Sequence, residues 1–410
     1  MQTVNNYHIP GAPKVVALPA NGQAEYLGIA INAGSRNELP GEEGLAHFVE
    51  HTIFKGTATH RAWYILNRME AVGGELNAYT TKEETFIYAV FPKGHMRRAA
   101  DLITDLVASS VFPPSELDKE REVVADEINS YLDSPADSVY DDFEDIMFAG
   151  SPLGHNILGS IESVNRLTSA DCRGWLERYY RPGRMVLFYS GAENADKIIA
   201  VAKRLSEHCA TTTDTHLALP HRDPPTIHPR FNITRRIDTH QAHTVMGLHL
   251  PGMHSPERRA YSLVTNLLGG PGMNSLLNVE LRERRGLVYS VEASDTFFTD
   301  CGLLQIYFGC DPADTARCMS LINRTLSRLA TDGITQRRLQ AAKRQYTGQL
   351  LLASENREQM VISAARAALH GLRFISATEL IDSVNALTAD DIAACCRNLS
   401  PDNISSLTLS

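Results

Sequence analysis

The segment HFVEH at residues 47–51 is the most informative stretch of this chain. Histidines four residues apart lie on one face of a helix, and Glu50, three residues after His47, shares that side. Two imidazoles and a carboxylate that converge on one point are what a catalytic zinc site requires, because nitrogen ligands hold the ion while a base takes a proton from its bound water. The order H-x-x-E-H is that of the inverzincins. A histidine pair on the surface or in the core fits the same five residues, so two interpretations stay open at this point.

A segment further along the chain offers a third metal ligand. Residues 115–132 read SELDKEREVVADEINSYL, an acid-rich helical pattern. Glu120 and Glu127 are seven residues apart, two helical turns, so they share a face with Val123 and Val124 between them. Two carboxylates on an apolar stripe are unusual, because burying a charge costs several kcal/mol unless it is paired or coordinated. A solvated edge of the helix is the alternative interpretation.

Two segments half a chain apart indicate an internal duplication. Residues 161–171 read IESVNRLTSAD and residues 381–391 read IDSVNALTADD, an offset of 220 residues. Each predicts a short helix followed by a threonine that caps a second helix. Each is followed by a proline and a β-rich run, which places the match at the same point in both halves.

The region between the halves, residues 210–231, is rich in Thr, His and Pro and has neither helical nor strand periodicity, so we interpret it as a linker. This predicts domains at residues 1–209 and 232–410. In the first half the patterns predict strands at 26–33, 75–81 and 84–91 and helices at 45–54, 62–72, 97–110 and 115–132, the last capped by Ser115. Strands and helices do not alternate strictly, which favours an α+β fold with helices on one face of a sheet.

The composition is that of an ordinary globular protein, with 43% hydrophobic and 21% charged residues. The length of 410 residues favours two domains. A net charge of −9 gives no electrostatic reason to expect nucleic acid or an anionic membrane as partner. No apolar run has the length of a membrane span, and the first ten residues show no signal-peptide pattern. We therefore expect no membrane or nucleic-acid partner.

The cysteines favour a reducing compartment. Their odd number and scatter predict buried reduced thiols rather than a disulfide framework, and hence a cytoplasmic protein. There are seven, none in a C-x-x-C pair: Cys172, Cys209, Cys301, Cys310, Cys318, Cys395 and Cys396.

Taken with their flanks, these motifs resemble the pitrilysin/insulinase family of zinc peptidases, and within it the short bacterial members related to the mitochondrial processing peptidase. The resemblance covers essentially the whole chain. It rests on the spacing of the motif to Glu127 and on four segments: GLAHFVEHTIFKGT at 44–57, GGELNAYTTKEETFIYAV at 73–90, SPLGHNILGS at 151–160 and LLGGPGMNSLLNVELRERRGLVYSV at 267–291. It implies two homologous α+β domains, each a mainly antiparallel sheet packed against helices.

The resemblance also implies roles for the first-half residues. His47, His51 and Glu127 would bind one zinc ion per chain, although two histidines and a carboxylate suit other divalent ions as well. Glu50 would be the general base that activates the zinc-bound water. Glu120 would orient a ligand, His51 in our interpretation, through a hydrogen bond.

Substrate contacts are implied in both halves. Asn77, Ala78, Tyr79 and Glu84 match the family's strand beside the zinc, which would take up a peptide by strand addition; an ordinary core strand is the alternative. Arg282 and Tyr289, seven residues apart, match a pair that contacts the substrate carbonyl; a surface arginine and a packed tyrosine are the alternative. The second-half counterpart of the zinc helix reads ERRAYSLVTNLL and carries no histidine pair.

The function implied by the resemblance is a metalloendopeptidase that hydrolyses short or unfolded peptides inside a closed chamber. Because a chain of this length supplies half of such a chamber, we expect a homodimer in which Arg282 and Tyr289 of one subunit complete the zinc site of the other. Two alternatives remain: a non-catalytic subunit, and obligate pairing with a second chain that lacks the metal, towards which GGPGMNS at 269–275 is weakly similar.

Overall fold

The computed structural model describes residues 4–209 and 224–410. In these residues the strands are β1 (Asn5–Tyr7), β2 (Lys14–Pro19), β3 (Ala24–Ile31), β4 (Glu75–Thr80), β5 (Thr85–Pro92), β6 (Met185–Gly191), β7 (Asn232–Arg235), β8 (Ala242–Pro251), β9 (Val288–Phe297), β10 (Cys301–Cys310) and β11 (Ser405–Leu409). The helices are α1 (Leu45–Thr52), α2 (Ala62–Glu70), α3 (Met96–Ser109), α4 (Pro114–Leu132), α5 (Pro135–Met147), α6 (Ile161–Arg166), α7 (Ser169–Tyr179), α8 (Ala195–His208), α9 (Arg258–Gly269), α10 (Thr315–Asp332), α11 (Gln336–Ala353), α12 (Arg357–Leu369), α13 (Ala377–Ala386) and α14 (Ala389–Asn398). The predicted α+β class is confirmed.

The chain forms two compact units, each built on one mainly antiparallel sheet. The first sheet has the order β1-β2-β6-β3-β5-β4 and the second has the order β7-β11-β8-β10-β9. Each contains one parallel pair, β2 with β6 and β11 with β7. Strands β4 and β9 therefore occupy equivalent places, each at the end of its sheet and paired on one side with the neighbouring strand of a hairpin.

The predicted duplication appears in the local structure as well as in the strand order. Thr168 and Asp171 form a capping box at the start of α7, and Thr388 and Asp391, 220 residues later, form the same box at the start of α14. A one-turn 3-10 helix begins with proline after each of these helices, at Pro182 and at Pro401. The inner strands β6 and β11 follow.

The compact units differ from the predicted sequential division. The first takes the described residues of Met1–Asn129, His155–Asp223 and Asn356–Ser376, and the second takes those of Ser130–Gly154, Pro224–Glu355 and Ala377–Ser410. Each unit thus includes a helix from the other half of the sequence. The predicted linker is described only from Pro224 onward, because residues 210–223 lie outside the described residues.

Burial of two sheet faces explains why each unit needs the extra helix. On the first sheet one face packs against α1, α3, α7 and α8. The other face, which includes Val16, Phe86 and Phe188, packs against Val361 and Ile362 of α12. Helix α5 covers the equivalent face of the second sheet with an apolar stripe of its own. A sheet with both faces apolar must be covered on both sides to be stable in water.

Most predicted elements around the motif agree with the structure to within two residues at either end. Ser115 is a correction: α4 begins at Pro114, so Ser115 lies inside the first turn rather than capping it. Proline is favoured at that first position because its missing N–H has no partner in the first turn. Val123 is a second correction, since it is 51% exposed and only Val124 is buried.

Two further expectations concern the chain as a whole. All seven cysteines are free and buried, as predicted. Among the described residues, no helix combines the length and the apolar character that crossing a membrane would need.

Candidate metal centre

Helix α1 presents its histidines from a firmly held first turn. Gly44 precedes the helix at φ +92°, where a Cβ would meet the Leu158 carbonyl oxygen at 2.7 Å. The buried Glu38 carboxylate accepts hydrogen bonds from the amide nitrogens of Gly44 (3.1 Å) and Ala46 (2.7 Å). A carboxylate at this end of a helix is favoured because the unpaired N–H groups there carry partial positive charge. His155 holds the same carboxylate, with Nε2 2.7 Å from Glu38 Oε2.

The three predicted ligands meet at one point. His47 and His51 place their ring centroids 4.5 Å apart. The Nε2 atom of His51 is 3.4 Å from Glu127 Oε2, and that of His47 is 3.8 Å from the same oxygen. One ligand atom from each residue lies within 4.8 Å of the others, and residues 4–209 and 224–410 contain no second group of three or more His, Cys, Asp or Glu side chains that converges in this way.

The donor set fits a zinc ion. Bond lengths of about 2.0–2.1 Å in a tetrahedral site separate ligand atoms by about 3.3–3.5 Å, close to the distances found here. Two imidazole nitrogens and a carboxylate oxygen that face one another are all acceptors when the rings are neutral, so a cation among them removes their repulsion. His47, His51 and Glu127 are the residues that would hold it.

Glu120 contacts His51 on the side away from the other two proposed ligands, and Lys55 contacts Glu120. The Nδ1 atom of His51 is 3.0 Å from Glu120 Oε1, and the other oxygen, Oε2, is 2.6 Å from Lys55 Nζ. A proton on Nδ1 that is donated to Glu120 leaves Nε2 as the free acceptor towards the metal. Lys55 was not singled out in the sequence, although it lies four residues after His51 in the same segment.

Glu50 lies on the strand side of the centre. Burial is the main cause of its raised pKa, and hydrogen bonding with Thr80 at the end of β4 opposes it in part. Tyr180 is buried nearby, and its burial raises the pKa of the phenol, to which the negative charge of Glu50 adds. Glu50 is not among the grouped ligands. Its position and raised pKa suit a group that exchanges protons rather than one that binds metal.

The two histidines differ in their affinity for protons. Burial, helped by the neighbouring charge of His51, lowers the pKa of His47 to about 3. Burial also lowers that of His51, but the hydrogen bond to Glu120 and the charges of Glu127 and Glu50 outweigh it, so that the pKa of His51 is raised. His47 is therefore neutral, and able to bind a metal, across the physiological pH range. His51 would have to release a proton before it could bind the metal.

The predicted peptide-binding strand is β4. It lies at the edge of its sheet, where Asn77, Ala78 and Tyr79 pair with β5 on one side. The ring of Tyr79 stacks on Phe86 at 4.9 Å. Glu84 lies just before β5 and is buried, so its position differs from that of the other three.

Both Glu84 carboxylate oxygens are engaged by α12. Oε2 accepts a hydrogen bond from Arg366 Nε at 2.6 Å, and Oε1 is 2.7 Å from His370 Nε2. These bonds fasten α12 to the turn between β4 and β5. Each oxygen of the buried Glu84 carboxylate thus already has one partner at or just after the end of α12.

Arg282 and Tyr289 belong to the second compact unit. Arg282 lies in a π-helical turn, Asn278–Glu283, a conformation often found at functional sites. It is exposed, and Tyr289 is 79% exposed on the edge strand β9. Neither side chain makes a hydrogen bond or ion pair within the described part of the chain. The alternative of a packed tyrosine is therefore wrong.

The second unit places α9 against β9, as α1 lies against β4 in the first. The hydroxyl of Ser262 on α9 donates to Asp295 Oδ2 on β9 at 2.6 Å. Burial raises the pKa of Asp295, and both Ser262 and Arg258 oppose that shift. A hydrogen bond between side chains thus joins the helix to the edge strand in this unit.

Comparison with known proteins agrees with this geometry. Residues 15–160 match the family model described as Insulinase (Peptidase family M16), and residues 166–346 match the one described as Peptidase M16 inactive domain. A protein of Mycobacterium leprae named an uncharacterized zinc protease is 32% identical over 95% of this chain and 88% of its own length. One of Bacillus subtilis with the same description is 33% identical over 91% and 90%.

The chain belongs to the insulinase family of peptidases, M16. Solved structures share its fold. A peptidase M16 inactive domain from Pseudomonas fluorescens superposes with a TM-score of 0.91 at 19% identity, covering 99% of this chain and 97% of the other. A protease from Helicobacter pylori also gives 0.91 at 19% identity, covering 100% and 99%. Within this M16 chain His47, His51 and Glu127 lie in the segment that the Insulinase model matches.

Proposed function

We propose that this M16 chain is a zinc-dependent endopeptidase for short or unfolded peptides, with one ion held by His47, His51 and Glu127. The observation that carries the proposal is the convergence of these ligand atoms beside a carboxylate, Glu50, that is not a ligand. The names of relatives as zinc proteases support the metal and the chemistry. Seven free, buried cysteines support a cytoplasmic location.

Bound zinc would act as a Lewis acid that makes a water acidic enough to attack near neutral pH. Glu50 accepts the proton of the attacking water and can pass it to the leaving amine. Its raised pKa suits both steps, because a group whose pKa lies nearer the working pH is both a usable base and a usable acid. Glu120 keeps His51 in the tautomer that offers Nε2.

An extended peptide would add to the free edge of β4. Main-chain hydrogen bonds with Asn77, Ala78 and Tyr79 would supply affinity with little demand on sequence, and folded proteins offer no such segment. Arg282 and Tyr289, exposed and unpaired within the described residues, are suitable donors to a developing oxyanion. We propose that they act across a homodimer, each subunit completing the site of the other.

Substitution at Glu50 tests the proposal. Glu50→Gln removes the base and leaves the ligands, so we expect full zinc content and a loss in kcat of about 10³-fold or more on a quenched fluorescent unstructured peptide. His51→Ala loses metal and activity together. Glu122→Gln, an exposed change on α4, is the matched control and keeps both. Unchanged cleavage by Glu50→Gln would refute the mechanism, and zinc binding by an unchanged chain that cleaves nothing would favour the non-catalytic subunit.

Mixed dimers test the composite site. Glu50→Gln subunits and Arg282→Ala subunits are each inactive alone in this scheme, yet a mixed dimer holds one complete site. Mixing should restore activity up to about one quarter of the unchanged level, from statistical pairing and one working site in two. Absence of restored activity in confirmed mixed dimers contradicts the composite site without affecting the role of Glu50.

A further inference from the structure

Within the described residues Lys55 makes one ion pair, with Glu120, and Glu120 also contacts the proposed metal ligand His51. Lys55 is the last residue of the one-turn 3-10 helix Ile53–Lys55 that continues α1. Its Nζ atom is 2.6 Å from Glu120 Oε2, while the other oxygen of the same carboxylate is 3.0 Å from His51 Nδ1. The Lys55 side chain is 26% exposed and that of Glu120 is 9% exposed, so water screens the pair only in part.

The turn that carries Lys55 is fixed from several directions. Ser110 Oγ donates to the Ile53 carbonyl at 3.1 Å, and the Val111 amide donates to the Gly56 carbonyl at 3.1 Å. Gly56 itself has φ +145°, a conformation that side chains with Cβ rarely adopt. The ammonium group therefore extends from a rigid backbone, which makes its placement against Glu120 a property of the fold.

The charges around the metal centre leave a role for a cation. Glu50, Glu120 and Glu127 are three carboxylates on or next to the proposed ligands, and a divalent ion leaves one negative charge uncompensated. Lys55 pairs with the Glu120 oxygen that does not face His51, and so supplies the balancing positive charge. A nearly buried carboxylate needs such a partner, because without it the group either turns towards solvent or loses its charge.

We infer that Lys55 is a positioning residue of the metal centre, which holds Glu120 against His51 and thereby sets the affinity for the ion without touching it. This rests on the proposed function of the site. The chain of contacts runs from Lys55 through Glu120 to His51. Partners of metal ligands that lie outside the coordination sphere commonly change metal affinity 10–100-fold.

Removal of the charge tests the inference on the full chain. We expect Lys55→Met to weaken zinc binding about tenfold, measured by competition with a chromophoric chelator, and Lys55→Arg to stay within about threefold of the unchanged chain because it keeps the charge. Lys119→Met is the matched control: it removes the same charge one residue before Glu120, where Lys119 pairs instead with Glu116. It should leave zinc affinity unchanged. Equal zinc affinity in Lys55→Met and the unchanged chain overturns the inference.

A double substitution separates positioning from a general structural effect. If Lys55 acts through Glu120, then Lys55→Met added to Glu120→Gln weakens zinc binding no further, whereas independent effects multiply. The midpoint of thermal unfolding of the metal-free chain is measured alongside. A fall in that midpoint with full additivity in zinc affinity overturns the inference in favour of a merely structural pair. Lys55→Gln, which keeps a hydrogen-bond donor without the charge, serves if Lys55→Met does not fold, and it should also weaken binding.

These measurements are distinguishable from the test of the proposed function. Zinc affinity is read without substrate, so a Glu50→Gln variant that still hydrolyses peptide would end the proposed mechanism and leave the Lys55 result standing. Conversely, if the enzyme is active but Lys55→Met leaves its zinc affinity unchanged, the inference about Lys55 is refuted and the proposed function is not.

Discussion

Expression of residues 1–209 alone tests what stabilises the compact unit that carries the candidate metal centre. The repeat suggests that residues 1–209 are a self-sufficient domain, but one face of their sheet packs against α12, from the other half. Met360, Val361 and Ile362 of α12 are 8%, 0% and 4% exposed. At about 1.5–3 kcal/mol for each fully buried side chain, these three contribute about 5–9 kcal/mol.

That amount is comparable with the whole stability of a domain, which is about 5–15 kcal/mol. We therefore expect residues 1–209, expressed alone, to show no cooperative unfolding transition in urea by circular dichroism and to bind a hydrophobic dye. Residues 356–376, added as a peptide or fused to the fragment, should restore a transition. A variant peptide with Val361→Asp and Ile362→Asp is the control and should not. Cooperative unfolding of residues 1–209 alone, at the urea midpoint of the full chain, would refute this account of the fold.

Three other predictions concern the site directly. Because the pKa of His51 is raised and that of His47 is about 3, the logarithm of zinc affinity should fall by one per pH unit once the pH is below the pKa of His51, which lies above the ordinary histidine range. A single proton then competes for His51, and a slope of two, from chelator competition at several pH values, contradicts this. Tyr289→Phe should lower kcat about 100-fold and leave the thermal midpoint unchanged, since the phenol is exposed; a lower midpoint with unchanged kcat would indicate a packing role. Glu84→Ala should destabilise the chain by about 2 kcal/mol in urea, because it removes the partner of the buried His370 and of the half-exposed Arg366, and a loss under about 0.5 kcal/mol contradicts the importance of these ion pairs.

Local elements around the motif were predictable because their periodicity is strong. The spacing of His47 and His51 indicated a helix, and the seven-residue spacing of Glu120 and Glu127 placed both carboxylates on one face, which the structure turns towards that helix. What periodicity could not give is how deeply a face is buried. Val123 belongs to the predicted apolar stripe yet is 51% exposed, and Trp63 of α2 is 74% exposed, because a shared face meets another element over only part of its length.

Pairings between distant segments were not predictable from the residues. Lys55 and Glu120, or Glu38 and His155, are charged groups many residues apart, and nothing local marks which acid a base will meet. The exchange of α5 and α12 is a similar case. Both helices are apolar on one face and both sheets need a cover, so the sequence pattern fits either assignment. The three-dimensional course of the chain decides which of the two helices covers which sheet.

The duplication also bears on whether the fold of the first unit depends on a bound metal ion. Both units place a helix against the edge strand of a sheet, α1 on β4 and α9 on β9. In the second unit the bond from Ser262 of α9 to Asp295 of β9 joins the helix to that edge strand. In the first unit α1 buries Leu45, Phe48 and Val49 in the core, so apolar burial holds the helix without any ion. Apolar burial therefore stabilises this scaffold, and the charges of the candidate metal centre can serve chemistry rather than folding.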